Sequence, residues 1–307
     1  MQRIYANLDE EARWAGRALP AHVLRRISAA SALLSALVQE PAEIWAPAAV
    51  DPQRLQLPAT MRVGIPARYD LAWADPDAKA ANDRRFALAL ARRLALALPE
   101  ARVIRSLDEL DVHLAETKLA RWVCKAPWTS AGRDRAHGQD AATGDTRIYL
   151  GRMLERFGEL VFEPWMDRMF DVGVCAMLAA TGEVSTRAPH TLLCDPRGGF
   201  AGIDLAPPPL TDPERALLDR TVAEVGSALA AIAYTGPFTI DAFVYRDRDA
   251  RKLHPLCEIN ARHSFGHVAH ALAARYRTRI LGFGPPPPNA KLFIAPAADD
   301  PFTAWGA

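Results

Sequence analysis

Two apolar runs late in the chain, Phe238–Tyr245 and Leu253–Ile259, flank the charged insert Arg246-Asp-Arg-Asp-Ala-Arg-Lys252, and this pattern restricts the fold more than any other feature. Both runs have strand length and are rich in aromatic and branched residues, so the pair reads as a β-hairpin. A turn centred between Asp249 and Ala250 sets Asp241 directly opposite Glu258, and strand alternation puts Asn260 on the same face as Glu258. Two carboxylates and an amide oxygen then converge. At about 4 Å and an effective dielectric near 20, the raw repulsion between the carboxylates is about 4 kcal/mol. Either something positive sits between them or the pair lies exposed in water. An all-oxygen ligand set of this kind suits Mg²⁺, which keeps waters and is completed by substrate phosphates.

The rest of the chain supplies layers for such a hairpin. Residues 8–16 and 20–38 are expected as helices, the second with Val23, Ile27, Ala30, Leu33, Leu34 and Leu37 on one face. Residues 41–58 read as proline-broken and irregular. Residues 62–66 are a strand candidate, 79–98 an amphipathic helix, and 102–105 a strand before a helix that Ser106 and Glu109 would cap. This alternation predicts a small α/β layer in the first third. Residues 121–126 and 160–164 read as buried strands. Between them lies the polar loop 129–146, of a kind usually functional or disordered, and then a helix near 148–157. A hairpin is expected around Thr181-Gly182, an irregular Pro/Gly-rich stretch over 188–210, a helix over 212–233 opened by Thr211 and Pro213, and a helix from 265 to 277. The tail with Pro285–Pro288 reads as an extended arm.

Composition narrows the function classes. The chain has 307 residues with 37 basic and 36 acidic side chains, so no charge excess points to nucleic acid or an acidic membrane surface. The N-terminus has no apolar signal core, and Arg92 and Arg93 interrupt the most apolar stretch, 86–98, which therefore cannot span a bilayer. A cytoplasmic protein is expected. Four cysteines (Cys124, Cys175, Cys194, Cys257) without a CxxC pair read as buried, reduced thiols. No GxSxG or Walker-type GxxxxGK[ST] occurs, which argues against those hydrolases and P-loop enzymes. His263, His267 and His270 could suggest zinc, but His263 precedes the helix and no acidic or cysteine partner has suitable spacing. Only five of the basic residues are lysines, so Lys125, inside an apolar run, stands out.

The segment Cys257-Glu-Ile-Asn-Ala-Arg-His-Ser-Phe-Gly266 resembles the terminal motif of the ATP-grasp superfamily, the carboxylate–amine ligases with a glutathione-synthetase-type ATP-binding fold. Three further pieces follow the family's order. Trp122-Val-Cys-Lys125 with its loop to Arg133 looks like the strand lysine and phosphate-covering loop. Leu160-Val-Phe-Glu163-Pro-Trp-Met166 looks like the hinge strand that grips adenine and ribose, and Gly236-Pro-Phe-Thr-Ile-Asp241 like the strand bearing the first metal carboxylate. The likeness covers about residues 60–275. It departs from the family's pattern in a short lid, in having only Gly132 before Gly138 in the loop, and in the widened spacing from Asp241 to Glu258.

The resemblance implies a mixed α/β and α+β architecture: an N-terminal α/β domain (1–117), a short lid subdomain (118–165), a C-terminal antiparallel-sheet subdomain with the metal site (166–280) and a proline-rich tail (281–307). It implies ATP and Mg²⁺ (or Mn²⁺) as cofactors. Lys125 would contact phosphate, a role that suits a point charge on a flexible stem, with Ser130 and Gly132 in the covering loop. Glu163 would bind ribose or adenine, with Phe162, Trp165 and Met166 near the base. Asp241, Glu258 and Asn260 would hold the metal, and Arg262 would neutralise charge on the transferred phosphoryl group. Lys118 is a further candidate cation. The implied reaction is ADP-forming activation of a small-molecule or peptide carboxylate as an acyl-phosphate, followed by attack of an amine. Nucleotide binding without ligation, or phosphotransfer on the same fold, are the alternatives. The N-terminal helices and the tail could serve a homo-oligomer or pack on the core.

Overall fold

The computed structural model describes every residue except 40, 130–132, 196–198 and 299. Three sheets form the framework. The first is parallel and four-stranded, in the order Ala59–Val63, Ala42–Ala46, Gln2–Tyr5, Leu71–Ala72. Neither Gln2–Tyr5 nor Ala42–Ala46 is evident in the sequence. Each is too short to show a period, and the second follows Pro41 directly. The helix Ala21–Ser31 and the 3₁₀ turn Ala32–Leu37 together replace the single helix expected over 20–38. They lay Leu33 and Leu34 on Ile4 and Ile44, all fully buried.

The second sheet is antiparallel and also four-stranded: Arg102–Ile104, Leu160–Pro164, Arg121–Lys125 and Arg135–Gln139. Helices Leu107–Thr117 and Gly144–Phe157 cover one face around Trp122, Phe162, Leu110 and Leu150. The strand Arg135–Gln139 lies inside the segment read as a polar loop. It is the sheet's edge and buries only Ala136, so it carries almost no apolar signal.

The third sheet has nine strands, all paired antiparallel, and is centred on Asp167–Leu178 and Gly236–Asp247. Helices Asp212–Ala231 and Arg84–Arg93 cover one face. Leu218, Val222 and Leu90 there meet Val174, Ile240 and Leu256. Thr211 closes the expected cap as a full capping box with Glu214. The 79–98 segment is helical only over Arg84–Arg93, because Asp83 caps it afresh by accepting from the Arg85 amide. The helix Phe265–Tyr276 packs on the opposite face and joins this sheet to the first through Val268 and Leu272.

The tail is not a free arm. Ile280–Phe283, Lys291–Ile294 and Ala304–Gly306 add three strands to the large sheet, and Phe293 and Ile294 are fully buried in the core beside Ile4. His190–Cys194 and Phe200–Asp204 do the same within the stretch read as irregular. Among the described residues no helix is long and apolar enough to cross a membrane. Cys124 and Cys175 are buried and unpaired as expected, whereas Cys194 is exposed at the end of its strand.

Candidate active site

The hairpin delivers the expected pair by an unexpected route. Asp247 faces Ala250 and Phe243 faces His254, so the turn is the two-residue Arg248-Asp249, with Arg248 at φ +54°. A bulge then sets residues 255–257 against Ala242 alone, and beyond it Asp241 faces Glu258 and Thr239 faces Asn260. The extra residues on one strand restore the register that a turn one residue later would have produced.

Asp241, Glu258, Asn260, Lys125 and Arg262 all line one cleft of about 590 Å³ where the three layers meet. The Asn260 amide donates to Asp241 Oδ2 at 3.0 Å, which leaves its oxygen for a further ligand. Burial, reinforced by the charge of Glu258, pushes the Asp241 carboxyl up to about 7. Two carboxylates so placed, one of them reluctant to ionise, with an amide oxygen beside them, fit a divalent cation held by oxygen. Among the described residues no group of three or more His, Cys, Asp or Glu is disposed around a metal. A Mg²⁺ here would accordingly draw its remaining ligands from water and substrate.

Lys125 and Glu163 come from adjacent strands, Lys125 facing Val161 and Val123 facing Glu163. The ammonium meets Glu163 Oε2 at 2.5 Å. Burial opposes the Glu163 charge, but Lys125 more than offsets it and the carboxyl is held below its usual range. Glu163 therefore lies behind Lys125 and is not among the residues lining the cleft. Phe162 points the other way, fully buried against Trp122 and His113, and so lines no base pocket. Alternation along the strand makes that unavoidable once Glu163 faces Lys125. Trp165 and Met166 do line the cleft. Trp165 meets His137 edge-on at 4.4 Å with the Arg168 guanidinium 5.3 Å from its ring. Ser130 and Gly132 lie outside the described residues.

Arg262 reaches the cleft but is engaged. Its Nη1 lies 2.5 Å from Glu11 Oε1 and donates to Asn82 Oδ1 at 2.8 Å, while Asn82 also accepts from the Ala261 amide. Lys118 caps a helix C-terminus and lines no part of the cleft. Its place is taken by arginines that sequence reasoning passed over: Arg84, Arg121, Arg133, Arg135 and Arg168. In a chain whose basic residues are nearly all arginine, none of them stands out by type. Arg84 is the central one. Its guanidinium donates to Ala126 O, Thr129 Oγ1, Thr129 O and Glu258 Oε1 at 2.7–3.0 Å, tying the loop after Lys125 to the carboxylate pair.

Of the late histidines, His267 completes the cap of its helix by accepting from the Ser264 amide. Burial pushes His190 and His263 down to about 3, and His254 and His267 down to about 4. An unfolded histidine titrates near 6.5, so below that pH the unfolded chain binds protons that the fold refuses. Stability is therefore expected to fall as the pH drops from 6.5 to 4.5, by several kcal/mol in total on the order of 1–3 kcal/mol per imidazole. Asp241, with its raised value, opposes this, but one carboxyl does not outweigh four rings. Urea unfolding at the two pH values measures the sign, and equal stability at both would refute the assignment of neutral buried rings.

No family model matches the sequence, and no curated protein matches it either. Solved structures do. N5-carboxyaminoimidazole ribonucleotide synthetase from Thermus thermophilus superposes with a TM-score of 0.59 at 12% identity, covering 100% of this chain and 94% of that one. N5-carboxyaminoimidazole synthase from Aspergillus clavatus, in complex with ADP and 5-aminoimidazole ribonucleotide, gives 0.54 at 13%, covering 100% and 94%. D-cycloserine synthetase gives 0.51 at 13%, covering 89% and 99%. Three layers around a common cleft, the hairpin that closes it and these superpositions agree: the chain has the ATP-grasp fold.

Proposed function

We propose that the protein is an ATP-dependent, ADP-forming ligase that activates a carboxylate as an acyl-phosphate and joins it to an amine. One observation carries this reading: Asp241 and Glu258 stand opposite each other, with Asn260 beside them, in the cleft that also holds Lys125. Mg²⁺ held by these three residues would supply charge neutralisation for phosphoryl transfer, which depends mainly on positioning and electrostatics. Lys125, oriented by Glu163, would bind phosphate oxygens; Arg262 would exchange Glu11 for the transferring phosphoryl group. Arg84 fixes the loop after Lys125 against Glu258 and so sets the distance between the two halves of the site. Trp165 and Met166 would flank the base. A structural neighbour solved with ADP supports nucleotide binding on this fold.

A second reading, nucleotide binding without ligation, draws on the fact that Lys125 and Arg262 are both already ion-paired within the protein. Thermal unfolding with ATP or ADP, each with and without Mg²⁺, tests the site common to both. Ligand at a hundred times its Kd adds about 2.7 kcal/mol, a rise of about 5 °C for a chain of this size. No shift with any nucleotide would sink both readings. Mass analysis then separates them: a product equal to acid plus amine minus water identifies ligation, and a stable phosphorylated acid identifies phosphotransfer.

A further inference from the structure

The cleft face of the large sheet changes chemistry from one side to the other. Strand pairing sets Glu258 opposite Asp241, Asp241 opposite Gly173, and Gly173 opposite His190, a single row across four strands. Paired strands lie about 4.8 Å apart, so the backbones of Asp241 and His190 are about 10 Å apart. Gly173 leaves the space between them free of a side chain, and a Cβ there would lie 2.4 Å from His190 Nε2. The imidazole thus lies over the glycine, with its ring centroid 5.6 Å from that of His270. Gly266 is equally tight on the other side, where a Cβ would lie 2.8 Å from His190 Cε1.

His190 bounds the cleft, is fully buried, and has no hydrogen-bond partner at either ring nitrogen. A neutral imidazole has one donor and one acceptor, and leaving both unmatched in a buried place is a penalty that a bound polar group would relieve. Burial holds this ring neutral, with its value pushed down to about 3. The next row begins with the carboxylate Asp171 and becomes apolar beyond it. Leu192 follows on the same face and pairs with Ile203, and Phe200 stacks on Phe265 with centroids 6.1 Å apart and planes inclined by 12°. All four bound the same cleft.

We propose that this end of the cleft is the subsite of the second substrate, in which His190 hydrogen-bonds the amine or hydroxyl nucleophile while Leu192, Ile203, Phe200 and Phe265 enclose an apolar body. The subsite thereby selects amines or alcohols on an apolar frame over small hydrophilic ones. This rests on the ligase reading above, because it assigns the nucleophile of that reaction.

Calorimetric titration of the full chain with benzylamine and with ethanolamine, each with and without Mg·ADP, tests it. Benzylamine is expected to bind at least tenfold more tightly than ethanolamine. His190→Phe, similar in size but without ring nitrogens, is expected to weaken benzylamine about tenfold, and His190→Gln to recover part of the loss. Equal affinity for the two amines overturns the apolar assignment. Unchanged benzylamine affinity in both variants overturns the role of His190, and no benzylamine binding to the wild type overturns the subsite itself. Failure of Mg·ADP to bind while benzylamine still does would overturn the nucleotide reading instead. Should His190→Phe not fold, His190→Gln decides alone, with unchanged affinity again the refuting result.

Discussion

Glu258→Gln and Asp241→Asn are each expected to lower Mg²⁺-dependent turnover about a hundredfold or more while leaving the fold intact. A divalent ion contributes several kcal/mol to charge stabilisation during phosphoryl transfer, and every 1.36 kcal/mol is tenfold in rate. Either amide keeps the shape and hydrogen-bonding oxygen of its parent but withdraws the charge that would hold the ion. The amide oxygen introduced by Glu258→Gln still accepts from Arg84, so the link that is 3.0 Å long in the native protein survives the substitution. Asp241→Asn makes a second expectation that a merely structural role would not produce. The Asp241 carboxyl is pushed up to about 7 by burial and by Glu258, against about 4 in an unfolded chain. Its ionisation therefore costs nothing below pH 4, costs progressively more as the pH rises to 7, and costs a constant amount above. In chelator at pH 7.5 the variant should be more thermostable than the wild type, by on the order of 1–3 kcal/mol; at pH 4 the two should melt together. Wild-type turnover in either variant would sink the metal assignment.

How much of this was legible in the sequence depends on where each residue gets its signal. Asp241 opposite Glu258 could be read because the strands are long and the charged turn confines the register, although the bulge at 255–257 shows that the arithmetic succeeded through a compensation it did not contain. Strands Gln2–Tyr5 and Ala42–Ala46 and the tail strand Lys291–Ile294 were opaque for a different reason: each is four or five residues long and owes its existence to neighbours distant in the chain. Ile294 is buried in the same core as Ile4 and pairs with Leu55, partners no local window contains. The site divides in the same way. Lys125, Trp165, Asp241, Glu258 and Asn260 sit on motifs and line the cleft. Glu11 and Arg84 reach it from segments the likeness left without a role, Asn82 touches it only through Arg262, and no spacing rule connects Glu11 to Arg262.

Arg84 gives the largest expected effect on stability. Its side chain is 9% exposed and donates to three acceptors around Ala126 and Thr129 as well as to Glu258. Alanine at this position would strand two backbone carbonyls and a hydroxyl, and would remove the ion-pair partner of Glu258, which faces Asp241. Removing one partner of a buried ion pair typically costs about 3–5 kcal/mol, and for a chain of this length the midpoint should fall by about 6–15 °C. Arg84→Lys should recover little, because one ammonium on a flexible stem cannot reach acceptors arranged around a planar fork. The discriminating measurement is thermal unfolding of Arg84→Ala and of Arg84→Ala combined with Glu258→Gln. Since the stranded carboxylate is the main source of the penalty, the double variant should be more stable than the single one. A double variant as unstable as the sum of its parts would place the role of Arg84 in the loop alone, and the tie between the loop and the carboxylate pair would then carry no energy.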